Sequence, residues 1–170
     1  MKTTLKLVLV ISIIALCSNV SAQALKLAHI NMNDLIVSMP EHDSAMVKMQ
    51  KEQKALEGEL ETLQVEFNKK YDEYQKNEAT LTELVKQSRQ QELTLYQQRV
   101  QTFTQSAQQQ LEDLNAKLYQ PIYEKANKAI ETVAKEQGIT YVINDQALTY
   151  KAVGAIDLLP AVKQNLGIKK

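Results

Sequence analysis

Two histidines and a single cysteine are the residues of this 170-residue chain that come nearest to metal, proton or nucleophile chemistry. His42 stands between Glu41 and Asp43, a grouping that could bind a cation or pass a proton. The same three residues suit the solvated first turn of a helix, where acids face the positive end of the dipole, and we prefer that reading. His29 falls inside a segment that reads as a strand. The sequence contains no Gly-rich phosphate loop, nucleophile elbow or paired-histidine motif. No catalytic residue, metal ligand or cofactor is therefore expected, and the chain is not read as an enzyme.

Cys17 belongs to what reads as an export leader over residues 1–22. Lys2 and Lys6 flank its start, Leu7 to Leu16 is apolar, and Val20-Ser21-Ala22 offers the small residues a signal peptidase reads, with cleavage after Ala22. Leu16 is too bulky for Cys17 to serve as a lipid attachment point. The apolar run is about ten residues against the roughly 20 that span a bilayer, and nothing later approaches that length, so no transmembrane segment is expected. The chain that follows has no cysteine, which excludes disulfides, a thiol nucleophile and Cys-based zinc sites. Without Lys2 and Lys6 it carries 18 basic against 20 acidic side chains, so no basic field draws nucleic acid.

The elements are dominated by one helical region, residues 41–137, where Gln, Glu, Lys, Leu and Ala prevail. Between Gly58 and Pro121 there is neither Gly nor Pro to break a hydrogen-bond ladder. Steps of four and three from Met49 reach Leu56, Leu60, Leu63, Phe67, Tyr74, Leu81 and Leu84, a heptad seam. A second stripe runs Leu93, Tyr96, Val100, Phe103, Ala107, Leu111, Leu114, Leu118, Ile122, Ala126, Ala129 and Val133 with a period near 3.6. Ser38 and Glu41 have capping-box spacing for the start of the helix. One rod of roughly 140 Å and a hairpin with arms of roughly 65 to 75 Å both fit the pattern.

The flanking segments favour the hairpin. Leu25 to Ile30 alternates at one end; Ile139 to Ile143 and Ala147 to Tyr150 alternate at the other, after Gly138. A turn near residues 80–90 would bring them together, whereas a rod would leave every strand edge unpaired. Residues 23–40 and 138–170 then form a β-rich body and 41–137 an arm. Asp157 is expected to cap a final helix that Gly167 ends. Pro121, inside the second helix, is expected to bend it and is the hinge candidate. The fold class is α+β, mostly α: a long antiparallel helical hairpin on a small β body.

These segments resemble the Skp/OmpH family of periplasmic chaperones, in the form found in Bacteroidetes-type bacteria. The resemblance rests on Lys26-Leu27-Ala28-His29-Ile30-Asn31-Met32, the Gln-rich hairpin, Met39-Pro40-Glu41, Tyr119-Gln120-Pro121-Ile122 and Gly138 to Asn144. It implies a homotrimer whose strands build the body and whose hairpins surround a cavity. It also implies an ATP-independent holdase that carries unfolded outer-membrane proteins through the periplasm. Better-known members are strongly basic, whereas residues 41–137 here hold 13 basic and 17 acidic side chains, which argues against lipopolysaccharide as a second partner.

A holdase needs exposed apolar surface rather than a catalytic group. Client-contact candidates in the distal arm are Tyr74, Leu81, Leu84, Val85, Leu93, Leu95, Tyr96 and Phe103. Most lie on the counted stripes and could simply join the two helices; Val85 and Leu95 lie off them. Leu27, Ile30, Val142, Ile143, Leu148 and Tyr150 are expected in the body core and the trimer interface. The rival function is a periplasmic coiled-coil spacer or adaptor that binds one folded partner.

Overall fold

The computed structural model describes residues 25–168; the leader and its cleavage after Ala22 lie outside the described residues. Strand β1, Leu27–Ile30, leads into a short helix α1, Met32–Val37, and then into the arm. The arm consists of α2, Pro40–Asn77, and α3, Glu83–Glu136. Strands β2, Tyr141–Asn144, and β3, Ile156–Asp157, and helix α4, Leu159–Asn165, complete the chain. The region is a hairpin, with α2 and α3 packed against each other, rather than a single rod. Among the described residues no helix is long and apolar enough to cross a membrane.

All three strands are parallel, in the order β2-β1-β3. Parallel neighbours need a long crossover, and the whole arm supplies the one between β1 and β2. Leu27 pairs with Tyr141 and Ile30 with Asn144. Gly138, with φ 65°, ends α3 in a Schellman turn in which the Ile139 N–H donates to the Ala134 carbonyl at 2.8 Å, and this aims the chain at β1. The side chain of Asp157 accepts from the Leu159 N–H at 2.9 Å and starts α4.

Alternation divides the sheet into two faces. Ala28 and Ile30, with Val142 and Ile156, face a core built from Leu35, Ile36 and Met39, from Leu158 and Val162, and from the last turns of α3. Ile122, Ala126, Ala129, Ile130 and Val133 are buried there, which is why α3 is 54 residues long and α2 only 38. At about 1.5 Å per residue that is some 81 Å against 57 Å. Unequal helices, rather than matched arms, let one element serve both arm and body.

Several expectations are corrected. Ser38 does not cap the long helix: its hydroxyl donates to the Leu35 carbonyl at 2.7 Å and closes α1, while Met39 is the N-cap and Pro40 takes the first helical turn. A six-residue helix capped by the Asn31 side chain had no readable period. Ala147 to Tyr150 is not a strand, because Asp145–Ala147 forms a 3-10 turn and the third strand is Ile156–Asp157. Tyr150 is 81% exposed and Leu27 is 52% exposed, so neither belongs to the core of the chain. Leu148 and Ile143 are half-buried outside the core cluster, whereas Ile30 is fully buried and Val142 packs against it.

Candidate functional site

The arm is one layer thick. Leu56 and Leu63 are buried between α2 and α3, but from residue 64 to residue 121 no side chain is fully buried. Two helices in contact cannot enclose a ridge of Leu, Phe and Tyr on all sides, so those residues stay half open. Polar pairs therefore help to set the register: Glu41 with Lys125, Glu52 with Gln110 at 2.5 Å, Lys70 with Glu92 at 2.5 Å, and Tyr74 with Gln90 at 2.9 Å. Successive partners move inward together along the two helices, as antiparallel packing requires.

The reversal occupies Glu78–Thr82 and uses no glycine. Glu78–Thr80 make a 3-10 turn, and Leu81 and Thr82 are extended with negative φ. The Thr80 hydroxyl donates to the Asn77 carbonyl, one that the end of α2 would leave bare, and the Asn77 side-chain amide donates back to the Glu73 carbonyl, each at 2.8 Å. Leu84 is 79% exposed: the heptad count had been carried through the turn, and α3 begins a new phase beyond it.

Of the remaining distal candidates, Leu95 and Val85 are exposed, while Tyr74, Leu81, Leu93, Tyr96 and Phe103 are half-buried between the helices. A polar cluster that the sequence reading did not assemble lies among them. Lys70 donates to Glu92, Arg89 donates to the other Glu92 oxygen at 2.8 Å, and Lys70 Nζ sits 5.0 Å from the centroid of the Tyr96 ring. The available signal was Lys70 itself, a charged residue on an apolar heptad position.

Lys70 first, then Arg89, holds the Glu92 carboxyl below its usual 4.5, and Glu92 holds the Lys70 ammonium above its usual 10.5. The lowered acid contributes stability above pH 4.5 and loses it as pH falls through the folded value. The raised base contributes below pH 10.5 and loses it as pH rises further. Protection factors for amide exchange near the turn, taken against the intrinsic rate at each pH, should therefore be largest between these limits and should fall below pH 4.5 relative to the body. Glu92→Gln should remove that acid limb, and an unchanged pH profile would show that the pair does not hold the tip.

The two histidines do not meet. His42 packs edge-on against Tyr119 with ring centroids 5.9 Å apart and touches Asp43 at 3.4 Å. His29 is buried on the sheet, its Nδ1 2.7 Å from Asp145 Oδ1, and Lys151 donates to the other Asp145 oxygen at 2.8 Å. Lys151, more than His29, keeps the Asp145 carboxyl below its ordinary value. These contacts pin the loop after β2 to β1, and they draw Asp145 away from the strand pairing expected beyond it. Among the described residues no three His, Cys, Asp or Glu side chains are grouped to hold a metal.

The face of the sheet opposite the core carries Leu27, His29, Tyr141 and Ile143; the loop at Asp145 covers His29, while among the described residues the end at Leu27 and Tyr141 stays open. Leu27 and Tyr141 are register partners, both more than half exposed, and Leu25 adjoins them. Pro121 lies within α3 and lines an open groove between the roots of the two arm helices.

A small parallel sheet with a long helical hairpin as its crossover, and no clustered catalytic groups among the described residues, defines a protein built around exposed surface. The chain belongs to the family described as "Outer membrane protein (OmpH-like)", which matches residues 26–166. It is similar in fold to the crystal structure of a Caulobacter crescentus CB15 chain proposed to be an outer membrane chaperone (OmpH-like). The TM-score is 0.71 at 16% identity, over 82% of each chain. No curated protein matches the sequence.

Proposed function

We propose that the protein is an ATP-independent periplasmic holdase, exported by its leader with cleavage after Ala22, that binds unfolded outer-membrane proteins and keeps them from aggregating. The observation that carries this reading is the arm: a two-helix layer in which no side chain from residue 64 to residue 121 is fully buried, so its apolar groups remain open to a client. Between Thr80 and Gln110 the only charges are Glu83, Lys86, Arg89, Glu92 and Arg99, spread among many Gln. Capture there rests on many weak apolar and hydrogen-bonding contacts, which suits clients that differ in sequence. Family membership and the fold support the same reading. Association as a homotrimer would cover the open sheet face, since a three-stranded sheet with exposed apolar residues and free edges is an incomplete layer.

Native mass spectra of the chain from Gln23 onward, alone and after dilution of a urea-unfolded outer-membrane barrel protein into it, test the proposal. A trimer that gains one client mass is the expected result. A trimer that ignores the unfolded chain would instead support the spacer reading, and a monomer would overturn the assembly.

A further inference from the structure

At the root of the arm, α2 and α3 part around an open groove of about 580 Å³, within the roughly 300–1,000 Å³ of clefts that hold ligands. Its floor is apolar: Ala45 and Ile122 are buried, Leu118 is half-buried, and Pro40 and Pro121 bring no N–H. Its rim carries Lys48, Lys117, Lys125 and Glu41. Lys125 is tied to Glu41, while among the described residues Lys48 and Lys117 make no ion pair and are exposed. The rim is thus positive on an arm that is acidic as a whole, with 13 basic and 17 acidic side chains over residues 41–137.

The same groove holds acceptors that want donors. Lys125, then the main-chain N–H of Glu41, keeps the Glu41 carboxyl below its usual range, so it is ionised and only accepts. Its Oε2 is enclosed by the chain, so a ligand reaches this carboxyl through Oε1, the oxygen that also takes the Lys125 ammonium. Pro121 cannot donate to the Lys117 carbonyl four residues earlier, which loses its helical partner.

We propose that this groove binds an extended polypeptide segment in which acidic and apolar residues alternate. A strand-like backbone supplies N–H donors for Glu41 Oε1 and the Lys117 carbonyl. Its period of two places apolar side chains on the floor while carboxylates reach Lys48 and Lys117. A fatty-acid or phospholipid anion would match the lysines but offers few or no donors to the acceptors. The inference rests on the holdase reading and deepens it, because it names the stretch of a client that seats at the arm root rather than at the tip.

The test uses two fluorescein-labelled peptides, one alternating Glu and Val and the other Lys and Val, followed by anisotropy with the intact protein, Lys48→Glu/Lys117→Glu, and Arg99→Glu as a distal control. The protein should bind the Glu peptide about tenfold more tightly than the Lys peptide, the double reversal should invert that order, and Arg99→Glu should leave it unchanged. If the reversal unfolds the arm by circular dichroism, Lys48→Gln/Lys117→Gln should still abolish the preference. Equal binding of the two peptides, or a preference that survives either double variant, would overturn the inference. Phosphatidylglycerol vesicles that bind while the Glu peptide does not would also overturn it. Suppression of barrel-protein aggregation is followed in parallel: its absence in the unaltered protein removes the holdase reading, whereas its presence without a peptide preference removes only the groove.

Discussion

With Leu27 and Tyr141 both changed to Asp, the protein should run as a monomer in native mass spectra while its far-ultraviolet circular dichroism stays helical. The two side chains are register partners at the open end of the sheet face opposite the core, and each is more than half exposed in the single chain. Covering an apolar side chain of this size contributes about 1.5–3 kcal/mol, and burying an unpaired carboxylate in its place opposes association further. In the proposed trimer, two such changes in every subunit act on all interfaces at once. Because neither residue belongs to the core, the fold of the chain itself should tolerate them. A trimer mass that survives the double change would place the contact elsewhere, for instance on the exposed Tyr150 and Val153.

Leu35→Ala should cost the body about 2–5 kcal/mol, read as a fall in the urea midpoint. Leu35 is completely buried between the sheet and the end of α3, and α1 is too short to close around a void. Domains of this kind are stable by only about 5–15 kcal/mol, so one deletion removes a large share. Val37→Ala, on the exposed side of the same helix, should move the midpoint by less than about 0.5 kcal/mol. Equal effects of the two would show that α1 does not seal the core.

The hairpin was legible because helical periodicity persisted across a stretch without Gly or Pro, and because alternating segments stood at both ends. Its turn was not, since the chain reverses through Leu81 and Thr82 with ordinary negative φ, a geometry that demands no particular residue. Ile156–Asp157 is two residues long and shows no alternation, whereas Ala147 to Tyr150 alternates well but follows Asp145, which is held by His29 and Lys151. Leu84 shows how a heptad count runs past the end of its helix. Of the candidate surface, the exposure of Val85 and Leu95 could be read from their departure from the stripes. The Lys70–Glu92 pair, the groove beside Pro121 and the open face at Leu27 and Tyr141 depend on which residues meet across the hairpin, and one helix's period does not contain that.

Because the arm is itself the crossover between β1 and β2, the sheet has a defined place in the order of folding. Lys26 and Gln137, joined by a hydrogen bond beside the strands, are 111 positions apart. Closing a loop of that length in a flexible chain costs about 4 kcal/mol in entropy before any strand contact forms. A hairpin that zips from Glu78–Thr82 towards the body avoids most of this cost, since each new contact closes only a short step beyond the last. In the export proposed for the chain, strand β1 would reach the far side of the membrane first and have no partner until the entire arm had followed it. Any slowing of arm formation therefore lengthens the time during which an unpaired strand is open to other chains, and the growing protein is for that interval in the same position as the clients proposed for it.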